Sequence, residues 1–504
     1  MASTAPPAPP VVAATAAPVV AATTAPPKDT CEFDYDQIIV GGGPSGLCLA
    51  TYLPGRTLLL ERDATLGGIH KVRRDVDGYF GEHGPRVYSG CFVNLRRVLR
   101  DVGLEWDTVF VKSDFSPETI DDKHWYKFLS AREVLVLARH FLQLVFNGDH
   151  GKDITVQDVC LKHKFSERST RYLDTLCRNI DGAGIERFAL HELLHAFNDH
   201  GTGFYEPRQA NDKALFPAWQ RFLEQRGVVI KLATTVREIT HSCGRATGVV
   251  ALAANEPRTF TARTVIIAAP PVPMAAVIKA SGLKEPGLKW FKTATNYDEY
   301  FSVAYHFPKT AAPVVTHRGL RSTPWGLIYL EMSRYMQGEG TYVSVAASRL
   351  DVRSPVTGKT ANESSRSEVV QEMLRQLPIA DATKATLIKA VPASCMKRTK
   401  AKWVNIDEAF IYNAAYPKAL PFGLACCRGV YTVGCQNMRA WYPFTSIEAA
   451  VCNALIFMGK KQEVPFTPLS QLRALLLVVL VFLVLALARH ASPWAKKTLS
   501  ALRR

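Results

Sequence analysis

Acidic residues are scarce in this sequence and missing altogether from its last 41 residues, Val464–Arg504. Over 504 residues, 45 Asp and Glu face 61 Lys and Arg, a formal net charge of +16. The acid-free stretch holds Arg473, Arg489, Lys496, Lys497, Arg503 and Arg504 around an apolar run, which points to a lipid surface as partner. No nucleic-acid module signature is present, so nucleic acid is not expected. None of the 11 cysteines is in C-x-x-C spacing, which argues against a zinc ribbon and a disulfide framework. A reducing compartment is therefore expected. The first 30 residues carry no charge before Lys28 and no arginine, against ten Ala, seven Pro and five Thr. They are neither a secretory signal nor a transit peptide. With few large apolar groups to offset ordering entropy, residues 1–32 are expected to be a disordered leader.

What is present is a globular body, 47% hydrophobic, long enough for two domains and a large core. After it, Ala474–Ala488 reads ALLLVVLVFLVLALA, fifteen residues without a polar side chain. As a helix this run spans about 22 Å, against about 30 Å of hydrocarbon. Leu472 and snorkelling Arg473 and Arg489 narrow the gap, and Trp494 suits an interface position. A single-pass C-terminal anchor over 472–489 is expected, with a basic tail at 490–504 and the body facing the cytosol.

The body opens on a strand, Gln37–Val40, a glycine turn, a helix, Leu47–Leu53, and a strand, Thr57–Leu60. That is a βαβ rhythm. Residues 131–225 read mostly as helix, and strands are expected at Val228–Leu232, Val249–Leu252, Thr264–Ala268, Phe301–Phe307 and Val430–Val433. The turn carries G-x-G-x-x-G as Gly41, Gly43 and Gly46. The first glycine permits the turn, the second admits a pyrophosphate, and the third packs helix on strand. Glu61 ends the second strand twenty positions after Gly41, where a ribose-binding acid belongs. These residues, with Ser45 and Arg62 beside them, are candidate dinucleotide contacts.

The sequence beyond Glu61 resembles the flavin amine oxidase superfamily, which includes monoamine oxidases, protoporphyrinogen oxidases and carotenoid desaturases, with sugar mutases more distant. The resemblance rests on RDATLGG, DGYFGEHGPRVYSG, the runs RGVVIKLATTVREI and TARTVIIAAPP, and the closing RGVYTVGCQNMRAWYPFTSIEAAVCNA. It covers about residues 33–460, close at both ends and loose in the middle. It implies FAD, with Gly67 and Gly68 running beside it, Arg86 near the isoalloxazine ring, Val236 at the adenine end, and Gly434 and Ser446 in the closing segment. It also implies an α/β fold: a Rossmann-like FAD domain from 33–90, 214–275 and 425–462, and a discontinuous α+β substrate domain from 91–213 and 276–424.

Departures from the family pattern bear on chemistry. Ile69 and His70 stand where an arginine is usual, and Cys435 and Gln436 where an acid is usual. The strand that commonly bears a lysine near the flavin, Tyr300–Phe307, has none, although Lys292 and Lys309 flank it. The segment that would supply a covalent cysteine also lacks one, so non-covalent FAD is expected. Tyr412, Tyr416, Trp441 and Tyr442 either sandwich a substrate or pack the core, and Arg86 either faces a ligand or forms an ion pair. His191-Glu192-Leu193-Leu194-His195 is a formal H-E-x-x-H without an evident third ligand. No metal is expected there, only a helix with partly exposed histidines. The apolar stripe on the helix around Glu133–Phe146 either enters the core, the favoured reading, or lies on the bilayer near the anchor. The reading is a membrane-anchored FAD-dependent oxidoreductase acting on a small, lipophilic substrate. Its alternatives are a redox-neutral flavin isomerase or mutase, and an FAD-binding protein without catalysis.

Overall fold

The computed structural model describes residues 33–81, 87–116, 118–288, 300–309, 322–332, 340–405 and 419–501. The chain opens with β1 (Tyr35–Val40), α1 (Pro44–Tyr52) and β2 (Thr57–Leu60). A helical block comes after it, from which α2 (Val93–Asp101), α3 (Ala131–Phe146) and α4 (Leu190–Thr202) bear on the site. The strands β3 (Val229–Lys231), β4 (Thr234–Ser242), β5 (Arg245–Ala253) and β6 (Glu256–Ile267) come next. A second sheet uses β7 (Phe301–Phe307), β8 (Leu327–Glu331), β9 (Thr341–Ala347) and β10 (Lys389–Pro392). The last elements are β11 (Val430–Thr432), α5 (Ile447–Phe457) and α6 (Pro468–Ala501).

The first sheet runs β3-β2-β1-β6-β5-β4, with β11 also paired to β6. β1 lies parallel to β2 and to the end of β6, Val40 opposite both Leu60 and Ile267. Such strands are covered on both faces and read as apolar runs. Accordingly Ile39, Leu59 and Ile266 enter one core, while Ile38, Val40, Leu58, Leu60, Val265 and Ile267 enter another. β6 changes partners along its length, since Glu256–Thr261 pairs antiparallel with β5. The ladder of β4, β5 and β6 extends past the apolar cores of the expected strands, which is why β5 and β6 exceed them.

In the second sheet, ordered β8-β9-β7-β10, alternation divides the side chains. Val303, Tyr305, Leu327, Tyr329 and Val345 pack its own core. Ala304, Leu330 and Tyr342 face the other way, against Val72 and Phe80. Asp34–Arg504 is one compact unit.

Two helices differ from expectation. α3 is not a core helix: among its residues only Glu133, Leu144 and Val145 are buried. Val136, Phe141 and Leu144 join Leu190 and Leu194 of α4, which uses one face and leaves the rest outside. Ser130 and Glu133 form a capping box, and Glu133 also accepts from Ser166 N–H at 2.7 Å and Ser169 Oγ at 2.7 Å. Those hydrogen bonds outweigh the desolvation of the carboxyl and hold it down at about 2. α6 runs beyond 472–489 at both ends; its start moves to Pro468 because Thr467 and Ser470 cap it and Pro468 suits a first helical position. Its span Pro468–Leu487 is long and apolar enough to cross a membrane.

Candidate functional site

The glycine turn forms as its spacing requires. Gly41 has φ +111°, and a Cβ there would stand 2.6 Å from the Ala268 carbonyl oxygen. A Cβ on Gly46 would meet the Gly41 carbonyl oxygen at 2.0 Å, so only glycine lets α1 pack on β1. Gly43 precedes the first turn of α1, leaving that N-terminus open. Gly67 and Gly68 also have positive φ, and Gly68 presses on Gly43, where an added Cβ would come within 2.9 Å of its Cα.

Glu61 is buried at the end of β2. Its carboxylate accepts from the Gly42 N–H at 2.7 Å and the Asp63 N–H at 3.0 Å. Buried Lys71 is hydrogen-bonded to Asp63 and lies 3.9 Å from Glu61. Desolvation, only partly opposed by Glu61, pulls its ammonium down to about 8. Sequence reasoning missed Lys71. It stands just past Ile69 and His70, where the resembled family has an arginine, and a search one residue further would have found it.

A cavity of about 840 Å³ joins these groups to more distant ones. Gly41, Gly43, Ser45, Glu61, Arg62, Gly68, Val236, Gly434, Ser446 and Tyr442 all line it. Gly46, Gly67 and Trp441 do not: the glycines serve packing, and Trp441 donates from Nε1 to Glu448 at 3.3 Å. The Ser45 hydroxyl donates to the Ala450 carbonyl at 3.1 Å, and the Ser446 hydroxyl caps α5 by accepting from Ala449 N–H at 3.1 Å. Arg86, Tyr412, Tyr416 and Lys292 lie outside the described residues. Lys309 is exposed beyond the end of β7.

Further along, the cavity is walled by α4 and the second sheet, with Phe115, Phe204, Ile328 and Leu330. Asp199 of α4 accepts from the Tyr442 hydroxyl, 2.8 Å from each carboxylate oxygen. Burial raises the Asp199 carboxyl to about 6, against the lowering hydrogen bonds of Ser89 and Tyr442. The next residue, His200, faces Glu118 at 3.0 Å. Desolvation opposes its charge, but bonds to Glu118 and Ala196 outweigh it and the imidazole is raised. Glu118 is held down at about 2, the bonds from His200 and Ser116 overcoming its burial. Asp199, His200 and Glu118 were invisible to sequence reasoning because no local motif joins them.

The H-E-x-x-H helix is α4 itself, and its histidines are more enclosed than expected. His191 is buried, with Nδ1 3.1 Å from the His150 carbonyl, and its ring centroid lies 4.5 Å from that of half-buried His195. The cause is that α4 is held between α3 and the cavity. Among the described residues, no group of three or more His, Cys, Asp or Glu is disposed to hold a metal ion.

The donor set suits a dinucleotide: an open helix N-terminus, a buried carboxylate and a cradle that any Cβ would fill. Gln436, two residues after Gly434, also lines the cavity, and its buried Nε2 has no hydrogen-bond partner among the described residues. The fold recurs in solved structures. An oxidoreductase from Methanosarcina mazei has 16% identity and a TM-score of 0.59, covering 84% of this chain and 100% of its own. Cyclohexylamine oxidase from Brevibacterium oxydans has 13% identity and a TM-score of 0.54, covering 84% and 97%. A putrescine oxidase double mutant, redesigned in its cofactor binding, has 12% identity and a TM-score of 0.57, covering 84% and 98%. No curated protein matches the chain by sequence. The fold and its site define an FAD-dependent oxidoreductase. The flavin-containing amine oxidoreductase model matches residues 44–400, and the chain belongs to that family.

Proposed function

We propose that this protein is a membrane-anchored oxidoreductase that takes a hydride equivalent from a lipophilic small molecule. The observation that carries the reading is the continuous cavity of about 840 Å³ running from the glycine turn to an apolar wall on the second sheet. FAD, when bound, supplies a hydride acceptor at N5 of its ring. In this reading Gly41, Gly43 and the α1 N-terminus hold the pyrophosphate, and Glu61 holds a ribose. Gly67 and Gly68 shape the cradle beside them. Val236 meets the adenine end, while Gly434, Gln436 and Ser446 close over the other. Ser45 and Arg62 line the phosphate side.

The expected division into an FAD domain and a discontinuous substrate domain is retained as part of the proposal. Support comes from the first sheet, whose strands fall within 33–90, 214–275 and 425–462. At the substrate end Phe115 and Phe204 exclude water, and the Asp199 carboxyl, raised by burial to about 6, accepts a hydrogen bond from the Tyr442 hydroxyl. α6 is the anchor, and the body faces the cytosol. FAD is bound without a covalent link.

The test is an absorption spectrum of the purified full chain before and after acid precipitation, followed by anaerobic bleaching with amphiphilic and water-soluble donors. Flavin in the supernatant and bleaching by lipophilic donors are the expected results. Flavin retained in the pellet would overturn the non-covalent reading, and bleaching by hydrophilic donors alone would overturn the lipophilic one. Substrate conversion without acceptor consumption would make the protein an isomerase instead.

A further inference from the structure

The face that α3 turns away from the core is not polar. Leu135, Leu142 and Phe146 repeat at helical spacing along one stripe, and they are 70%, 42% and 64% exposed. Arg132 and Arg139, both exposed, flank that stripe. Beside it Phe197 of α4 is 60% exposed, and its ring centroid lies 5.4 Å from that of Phe141 on α3. Phe466, 71% exposed, stands two residues before α6 begins.

α6 leaves the body beside the two helices that bear the stripe and Phe197. Leu469 of α6 packs with Leu144 of α3 and with Leu190 and Leu194 of α4. Its N–H donates to Asn198 Oδ1 at 3.2 Å, and Gly201 abuts Pro468 so closely that a Cβ would lie 2.2 Å from its Cγ. The base of α6 is therefore seated firmly on α3 and α4. Large exposed apolar patches on soluble proteins mark interaction surfaces. This one lies on the two helices that seat the helix the anchor reading takes across a bilayer, and its arginines suit anionic headgroups.

We propose that the outer stripe of α3, with Phe197 and Phe466, lies in the interfacial layer of the bilayer that α6 spans. The inference rests on the anchor reading and goes beyond it: the body is docked flat on the membrane, not swung from a tether. The opposite side of α4 carries Ala196, Asp199 and His200 into the cavity, so docking sets the cavity wall one helix from the lipid.

The experiment uses the full chain with Cys31 and exposed Cys243 replaced by serine and an environment-sensitive NBD probe on Leu142→Cys. It is reconstituted into phosphatidylcholine–phosphatidylserine vesicles with or without brominated acyl chains. The probe is expected to lose most of its emission to bromolipid, while the same probe on exposed Val356→Cys keeps it. In a second variant, Leu135→Glu with Phe146→Glu, the Leu142 probe should escape quenching although carbonate-resistant membrane retention persists. An unquenched probe on a carbonate-resistant chain would overturn docking and leave the anchor standing. A chain extracted by carbonate would overturn both. Blue-shifted emission that tracks protein density, without quenching, would assign the face to a second copy and overturn the lipid assignment.

Discussion

Two helices of this protein are apolar on nearly every side, yet they end in opposite surroundings. α5 is buried continuously from Ile447 to Leu455, whereas none of the apolar span Pro468–Leu487 of α6 is buried. Hydrophobicity alone does not separate them. α5 has Ala449, Ala450, Cys452 and Ala454, small residues that bring it close to α1, where Ser45 bonds the Ala450 carbonyl. It also carries Glu448, whose carboxylate accepts from the N–H groups of Asn94 at 3.1 Å and Leu95 at 2.8 Å, at the start of α2. The middle of α6, Leu475–Leu485, is Leu, Val and Phe throughout, with no small or polar group that would specify a protein neighbour. Apolar surface is common to both helices; small and polar residues decide which of them protein receives.

Substitutions put that contrast to the test. The largest effect is expected at Gly46→Val, where the new side chain meets the Gly41 carbonyl and the α1–β1 contact is lost. Destabilisation by about 4 kcal/mol or more is expected, read as loss of bound flavin and of cooperative thermal unfolding. Glu448→Leu removes the acceptor that tethers α5 to α2 and leaves buried donors unpaired, at a cost of about 3 kcal/mol. If its thermal midpoint matched the parent's, polar specification of α5 would be wrong.

A pH experiment probes the enclosed histidines. Burial holds His191 down at about 4, below the ordinary imidazole value of 6.5. Between these values the unfolded chain binds more protons, so this stabilisation is complete above the upper value and lost as pH falls toward the lower. His191→Asn should flatten the pH dependence of unfolding by about 1.4 kcal/mol per pH unit in that window. Glu192, raised by burial, acts in the opposite sense and is common to both chains. The smallest effect on the body is expected for Phe482→Asp in α6, within about 0.5 kcal/mol. Membrane retention should nevertheless fall, since a central Asp costs about 3 kcal/mol on insertion. A marked loss of body stability would mean that α6 is a structural helix.

The glycine turn was legible because its chemistry is local. Gly41, Gly43 and Gly46 constrain backbone within a few residues, and Glu61 arrives one βαβ unit later. The stripe of α3 was legible as apolar but not as outward, since the same residues satisfy a core helix or a surface stripe equally well. Only the extent of α4 that faces it shows that one side suffices. Asp199 illustrates the same limit. Nothing beside it in the sequence predicts Tyr442, 243 positions away, whose hydroxyl it accepts.

Neighbouring residues alone were enough for the βαβ turn, the acid that ends it, the apolar terminal helix and the family to which the chain belongs. Each depends on short-range sterics, on periodicity or on composition, and all three are written locally along the chain. Which side chains share the cavity, which histidines are enclosed and which apolar stripe remains outside emerge only in three dimensions. Those outcomes depend on desolvation and packing between segments far apart in the chain, and burial is a property of the assembled fold.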